Sequence, residues 1–109
     1  MLFGCNEEAK VDNSLLFGNW EIVKANRNGR ETKTLNGAFF NFIEDGKVME
    51  YNLLGQPQKE SIEIKDLTIS QITGEKVEYK IVSLSDSSLI LKTKLRGTEF
   101  EFNLKRKDE

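Results

Sequence analysis

Arg96-Gly97-Thr98-Glu99-Phe100-Glu101-Phe102-Asn103-Leu104 sets a turn dipeptide directly before a strict apolar–polar alternation. Successive side chains of an extended chain point to opposite sides, so Phe100, Phe102 and Leu104 share one face and Glu99, Glu101 and Asn103 the other. One face is buried and the other wet, the pattern of an antiparallel sheet covered on one side. The same alternation recurs outward along the chain. Val77, Tyr79 and Ile81 alternate with Glu78 and Lys80, and Phe40 and Phe42 flank Asn41. Trp20 and Ile22 oppose Asn19, Glu21 and Val23, and Ile62-Ile64 and Leu67-Ile69-Gln71 alternate about Lys65-Asp66. Leu89-Ile90-Leu91 is denser and reads as a strand covered on both faces.

Between these segments lie Asn28-Gly29, Asn36-Gly37, Asp45-Gly46, Gly55 to Pro57, Lys65-Asp66, Thr73-Gly74, Asp86-Ser87-Ser88 and Arg96-Gly97. They recur at roughly 8–12-residue intervals, the spacing of an antiparallel sandwich or barrel. Asn-Gly and Asp-Gly favour tight hairpins because both residues tolerate positive φ. No helical period separates the strands, which argues against a parallel βαβ arrangement. Strands are expected near 17–26, 30–34, 38–44, 47–53, 59–64, 67–72, 76–84, 88–95 and 98–106, the short second one being the weakest. The fold class is all-β: a small antiparallel up-and-down β-barrel of about eight strands without a long C-terminal helix. Leu15, Leu16 and Phe17 are expected to begin as a short helical plug at one end. Residues 1–13 form a tether and residues 14–109 the single barrel domain.

Composition limits the chemistry. The chain has 109 residues, enough for one modest core. Sixteen basic residues against eighteen acidic ones leave a net charge of −2, which gives no electrostatic drive toward nucleic acid. A single cysteine rules out an internal disulfide and paired-thiol zinc or redox motifs. The absence of histidine removes Ser-His-Asp and Cys-His catalysis and imidazole metal ligands. The eight glycines are scattered through turns and form no phosphate loop. Glu99 and Glu101 share a wet strand face, and Glu60 and Glu63 would share one only across a bulge. Such pairs are solvation rather than acid–base machinery. The reading is non-enzymatic, and no motif implies a cofactor or a metal.

Gly18-Asn19-Trp20, preceded by Leu15 and Leu16, resembles the lipocalin signature. Phe40-Asn41-Phe42-Ile43-Glu44-Asp45-Gly46 is similar to the Phe-x-Phe-x-x-Asp-Gly hairpin of bacterial lipocalin-like domains. The resemblance spans roughly Leu15 to Lys107. It implies that Trp20 closes the barrel floor, with Arg106, near the end of the last strand, stacked on the indole. The Thr-Asp-Tyr loop of the classical family is absent, which separates this chain from the classical small-hydrophobe carriers.

Leu2-Phe3-Gly4-Cys5 resembles a bacterial lipobox, with Leu and Gly in place and Phe3 departing from the pattern. The resemblance implies that Cys5 is a lipid anchor. It also implies that the chain begins late in a signal peptide or that Met1 is not the native start. Glu7-Glu8 just after the cysteine is similar to the surface-export signal of some Bacteroidetes lipoproteins. The expected location is the bacterial cell envelope, with contact to the membrane through the N-terminal lipid alone.

An eight-stranded barrel is just wide enough to be filled by side chains or to hold one small ligand. The expected interior set is Trp20, Ile22, Phe40, Phe42, Val48, Ile62, Ile64, Leu67, Ile69, Val77, Tyr79, Ile81, Leu89, Leu91, Phe100, Phe102 and Leu104. So many large groups predict a mostly self-packed interior. Any ligand is expected to be small and apolar or amphipathic. It would meet Trp20, Phe40, Phe42, Tyr79, Phe100 and Phe102 and enter at the mouth opposite Trp20. The rival reading is a filled scaffold that binds an envelope protein through Leu53 and Leu54, beside Gly55 and Pro57 on a wet turn.

Overall fold

The computed structural model describes residues 13–43, 47–52, 56–74 and 76–107. A single helical turn, α1 (Asn13–Leu16), leads into nine strands: β1 (Gly18–Arg27), β2 (Arg30–Thr32), β3 (Phe39–Ile43), β4 (Val48–Tyr51), β5 (Gln58–Lys65), β6 (Thr68–Gln71), β7 (Glu78–Leu84), β8 (Ser88–Leu95) and β9 (Thr98–Arg106). All neighbours pair antiparallel, in the order β2-β1-β3-β4-β5-β6-β7-β8-β9, and β1 also pairs with β9. That last pairing closes eight strands into a barrel, with β2 lying outside the closure. The weak second segment of the sequence is thus a short flap, paired only with Ala25, Asn26 and Arg27 of β1.

Short turns impose the up-and-down order. Asn28 and Gly29 take φ of 52° and 83°, and Arg96 and Gly97 take 52° and 83°. Two consecutive residues with positive φ match the right-handed twist of the strands on either side and hold the hairpin in register.

β1 serves two neighbours because it is long and bent. Its first residues pair with β3, Gly18 opposite Phe42 and Trp20 opposite Phe40. From Trp20 onward it also pairs with β9, and the register shifts between Ile22 and Lys24. The extra residue, Val23, is 51% exposed, and Ala25 returns to the core. A second register shift between Ile81 and Ser83 makes the exposed Val82 the extra residue and brings Leu84 back toward the core. Bulges of this kind add the bend a small barrel needs.

The core runs through the barrel. Leu16, Trp20, Ile22, Phe40, Phe42, Met49, Ile69, Tyr79, Leu89, Leu91, Phe102 and Leu104 are all buried. Each large apolar side chain taken from water contributes roughly 1.5–3 kcal/mol before entropy is counted. Two expected interior residues are not there. Val48 is only half-buried, and Met49 and Tyr51 point inward instead. Met49 pairs with Phe42 and Tyr51 with Phe40, and directly opposed residues share a face, so β4 must take this phase. Leu67 is 39% exposed because it completes the β5–β6 turn after Asp66, whose φ is 55°. The dense run on β8 alternates after all: Leu89 and Leu91 are buried and Ile90 is half-buried. β9 runs to Arg106, and among the described residues α1 is the only helix.

Candidate functional site

One end of the barrel is sealed. Trp20 is fully buried there, and its indole Nε1 donates a 2.9 Å hydrogen bond to Leu16 O. The Arg106 guanidinium carbon lies 4.3 Å from the Trp20 ring centroid. Arg106 Nη1 donates to Phe17 O at 2.7 Å, Nε donates to Asp86 O at 2.5 Å, and Nη2 donates to Leu15 O. One guanidinium thus ties the incoming chain, the β7–β8 turn and the end of β9 around a single ring. Gly18 makes room for it: a Cβ at this position, with φ of 110°, would sit 3.1 Å from Arg106 Nη1.

The opposite strand ends leave a recess of about 340 Å³. Its apolar walls are Tyr51, Val77, Tyr79, Leu95 and Phe100, and its polar margin is Gln58, Glu60, Gln71, Arg96 and Thr98. These residues come from the end of β4, the start of β5, the end of β6, the β6–β7 loop and start of β7, and the β8–β9 hairpin. Beneath them is an aromatic floor. Phe40 stacks on Tyr51 at 6.1 Å with a 20° interplanar angle, and meets Tyr79 edge-on at 5.6 Å and 81°. Phe102 stacks under Phe100 at 5.7 Å and lies 6.0 Å from Phe40. Phe40 and Phe102 are both fully buried, so the recess stops on their rings.

The polar margin is held in place. Thr73 Oγ1 donates to Glu60 Oε1 at 2.6 Å and accepts from Ser61 N–H at 2.9 Å, which fastens the β6–β7 loop across β5. Gln71 Nε2 donates to Thr73 O, and Thr93 Oγ1 donates to Glu78 O, so these buried side chains each find a backbone partner. Gly74, with φ of 70°, lets the loop pass the carboxylate closely, since a Cβ there would lie 2.9 Å from Glu60 Oε2.

The six pocket residues expected from sequence divide by depth. Tyr79 and Phe100 line the recess, and Phe40 and Phe102 form its floor. Phe42 lies behind Phe40 at 6.2 Å, and Trp20 belongs to the sealed end. Cys5, Leu53 and Leu54 lie outside the described residues. Sequence reasoning missed Tyr51, Gln58 and Glu60 as mouth residues. Tyr51 was hidden by the wrong phase on β4. The signal for Glu60 was present: Gln58, Glu60, Ile62 and Ile64 are in step, and the inward Ile62 carries Glu60 to the inner side. β5 pairs without a bulge, so Glu60 and Glu63 fall on opposite faces.

A wider concavity of about 1020 Å³ runs along β6 to β9 and shares Gln71, Val77 and Phe100 with the recess. Its side chains include Lys80, Lys92, Lys94, Glu78, Glu99 and Glu101, all charged. Lys92 faces Glu101 and Lys94 faces Glu99 across the strands. Those charged side chains form a solvated outer face with alternating charge, and the smaller, more apolar recess is the better-built site. Among the described residues no group of three or more Cys, Asp or Glu is placed to hold a metal ion.

The chain is a closed antiparallel barrel, sealed by an arginine-stacked tryptophan at one end and open to a small apolar recess at the other. The fold is lipocalin-like. A lipocalin-like protein from Bacteroides uniformis shares it with a TM-score of 0.61 and 18% sequence identity, over 85% of this chain and 99% of that one. No family model and no curated protein matches the sequence.

Proposed function

We propose that this protein is a non-enzymatic binding protein of the bacterial cell envelope, anchored by lipid at Cys5, that holds a small apolar or amphipathic ligand in the barrel mouth. The observation that carries the reading is the recess of about 340 Å³, walled by Tyr51, Val77, Tyr79, Leu95 and Phe100. Ligand sites are concave and mostly apolar, with a few polar groups to orient the guest, and run to about 300–1,000 Å³. This recess is at the small end of that range. The lipobox-like Leu2-Phe3-Gly4-Cys5 supports the anchor, and the polar residues that follow it suit a tether. Seven residues, and so eight Cα–Cα steps, separate Cys5 from Asn13, where α1 begins. Fully extended, those eight steps reach at most about 29 Å. Because the chain enters at the sealed end, the proposed anchor would attach on the side opposite the mouth.

Native mass spectrometry of residues 14–109, purified from the host without detergent, tests the binding reading. A discrete added mass that is lost on activation is the expected result. A bare monomer, together with no saturable uptake of added amphiphiles, would refute it.

A second reading rests on the filled half of the barrel, where Trp20, Phe42, Met49 and Leu89 are all buried. In this reading the barrel is a scaffold and Leu53 and Leu54 dock an envelope protein. Alanine at both leucines would then abolish partner capture while leaving the melting temperature unchanged. Retained capture would sink it.

A further inference from the structure

We infer that the guest of the mouth recess is a compact, uncharged ring compound, aromatic or fused-ring with hydrogen-bonding substituents, rather than a flexible acyl chain. The inference rests on the binding reading and adds a ligand class to it.

Depth is the first reason. An acyl chain needs a long, narrow cavity along the barrel axis, and among the described residues the axis is occupied by side chains. Phe40 and Phe102 floor the recess with no exposure, and behind them Phe42, Met49 and Trp20 fill the section. A molecule longer than the recess would have to extend into water.

Wall geometry is the second. Tyr51 lies nearly parallel to Phe40, and Tyr79 stands nearly perpendicular to it. The two tyrosine rings therefore meet at a steep angle, with Phe100, propped on Phe102, as a third ring in the lining. A guest ring stacked on one tyrosine meets the other edge-on. These are the two arrangements that aromatic quadrupoles favour, and a saturated chain gains nothing from either.

Charge is the third. The charged members of the margin are Glu60 and Arg96, whose formal charges cancel. Gln58, Gln71 and Thr98 add neutral donors and acceptors. A carboxylate guest would approach Glu60, whose anionic oxygen is already held by Thr73, and would find no excess of positive charge. Neutral hydroxyl, carbonyl or amide groups fit this margin better.

Isothermal titration of the full-length, delipidated protein with four probes tests the assignment. 2-Naphthol and estradiol serve as neutral ring compounds, and 1-dodecanol and dodecanoate as a neutral and an anionic chain. At least one ring probe should bind tenfold or more tightly than either chain. Phe100→Leu, which keeps an apolar group at a half-buried position but removes the ring, should weaken the ring probe at least fivefold. The same substitution should leave chain affinity within twofold. Chains that bind as tightly as rings, or a Phe100→Leu protein that loses no ring affinity, would overturn the ligand class and leave the binding reading standing. Failure of all four probes to saturate would instead count against the binding reading itself.

Discussion

Arg106 lies over Trp20 at 4.3 Å from the ring centroid while its three nitrogens donate to the carbonyls of Leu15, Phe17 and Asp86. The side chain unites ends of the chain far apart in sequence, and it does so with planar donors that an ammonium group cannot reproduce. Arg106→Lys is therefore expected to destabilise the barrel by about 2–3 kcal/mol, from lost charge-assisted hydrogen bonds and weaker stacking. The melting temperature should fall on the order of 10 °C. A thermal melt followed by near-ultraviolet circular dichroism reads this directly, since Trp20 is the only tryptophan. A fall of no more than a degree or two would show that the clamp contributes little.

The phase of β4 can be checked by paired truncation. Met49 is fully buried against Phe42, whereas Val48 is half-buried on the other face. Met49→Ala should cost about 2–4 kcal/mol in urea unfolding. Val48→Ala should cost less than about 1 kcal/mol, as expected for a side chain left partly in water. The reverse ranking would mean that β4 is shifted by one residue.

Gly74 and Glu60 should behave as a coupled pair. Gly74→Ala brings a Cβ to 2.9 Å from the Glu60 carboxylate at a φ of 70°. A loss of about 1–2 kcal/mol is expected from backbone strain alone, with the clash added to it. Placing Glu60→Ala in the same chain should recover the clash and leave the strain, so the two changes will not add. Strictly additive free energies in a double-mutant cycle would rule out the close approach.

Filling the recess offers a test of the proposed ligand site that does not depend on weakening the fold. Leu95 is half-buried at the wall. Leu95→Trp should occupy much of the roughly 340 Å³ recess. Any added mass seen by native mass spectrometry should disappear while the melting temperature holds within a few degrees. A ligand that persists in this variant must bind elsewhere.

The proposed anchor at Cys5 is tested separately from the barrel. Cys5→Ser should move the protein from the membrane fraction to the soluble fraction and abolish incorporation of labelled fatty acid. The folded barrel should keep its melting temperature. Unchanged membrane association would exclude thiol-linked lipidation at Cys5.

Much of the barrel was written in short-range pattern. Alternation at Val77-Tyr79-Ile81 and Phe100-Phe102-Leu104 assigned strands and faces, because a period of two leaves one face for the core. Turn pairs such as Asn28-Gly29 and Arg96-Gly97 assigned the order, because two-residue hairpins force consecutive strands to be neighbours. Gly18-Asn19-Trp20 and Arg106 marked the sealed end. What the sequence could not decide depended on partners distant along the chain. Met49 rather than Val48 faces inward because β3 sets the register of β4. Ala25 rather than Lys24, and Leu84 rather than Ser83, return to the inner side because closure of β1 on β9 and the bend of β7 each absorb one residue in a bulge. Glu60 reaches the mouth because β5 keeps an unbroken register that puts it in step with Ile62. Local alternation fixes which residues can share a face. Closing the barrel fixes which face it is and where the interior is left unfilled, because register and curvature are satisfied by all eight strands together.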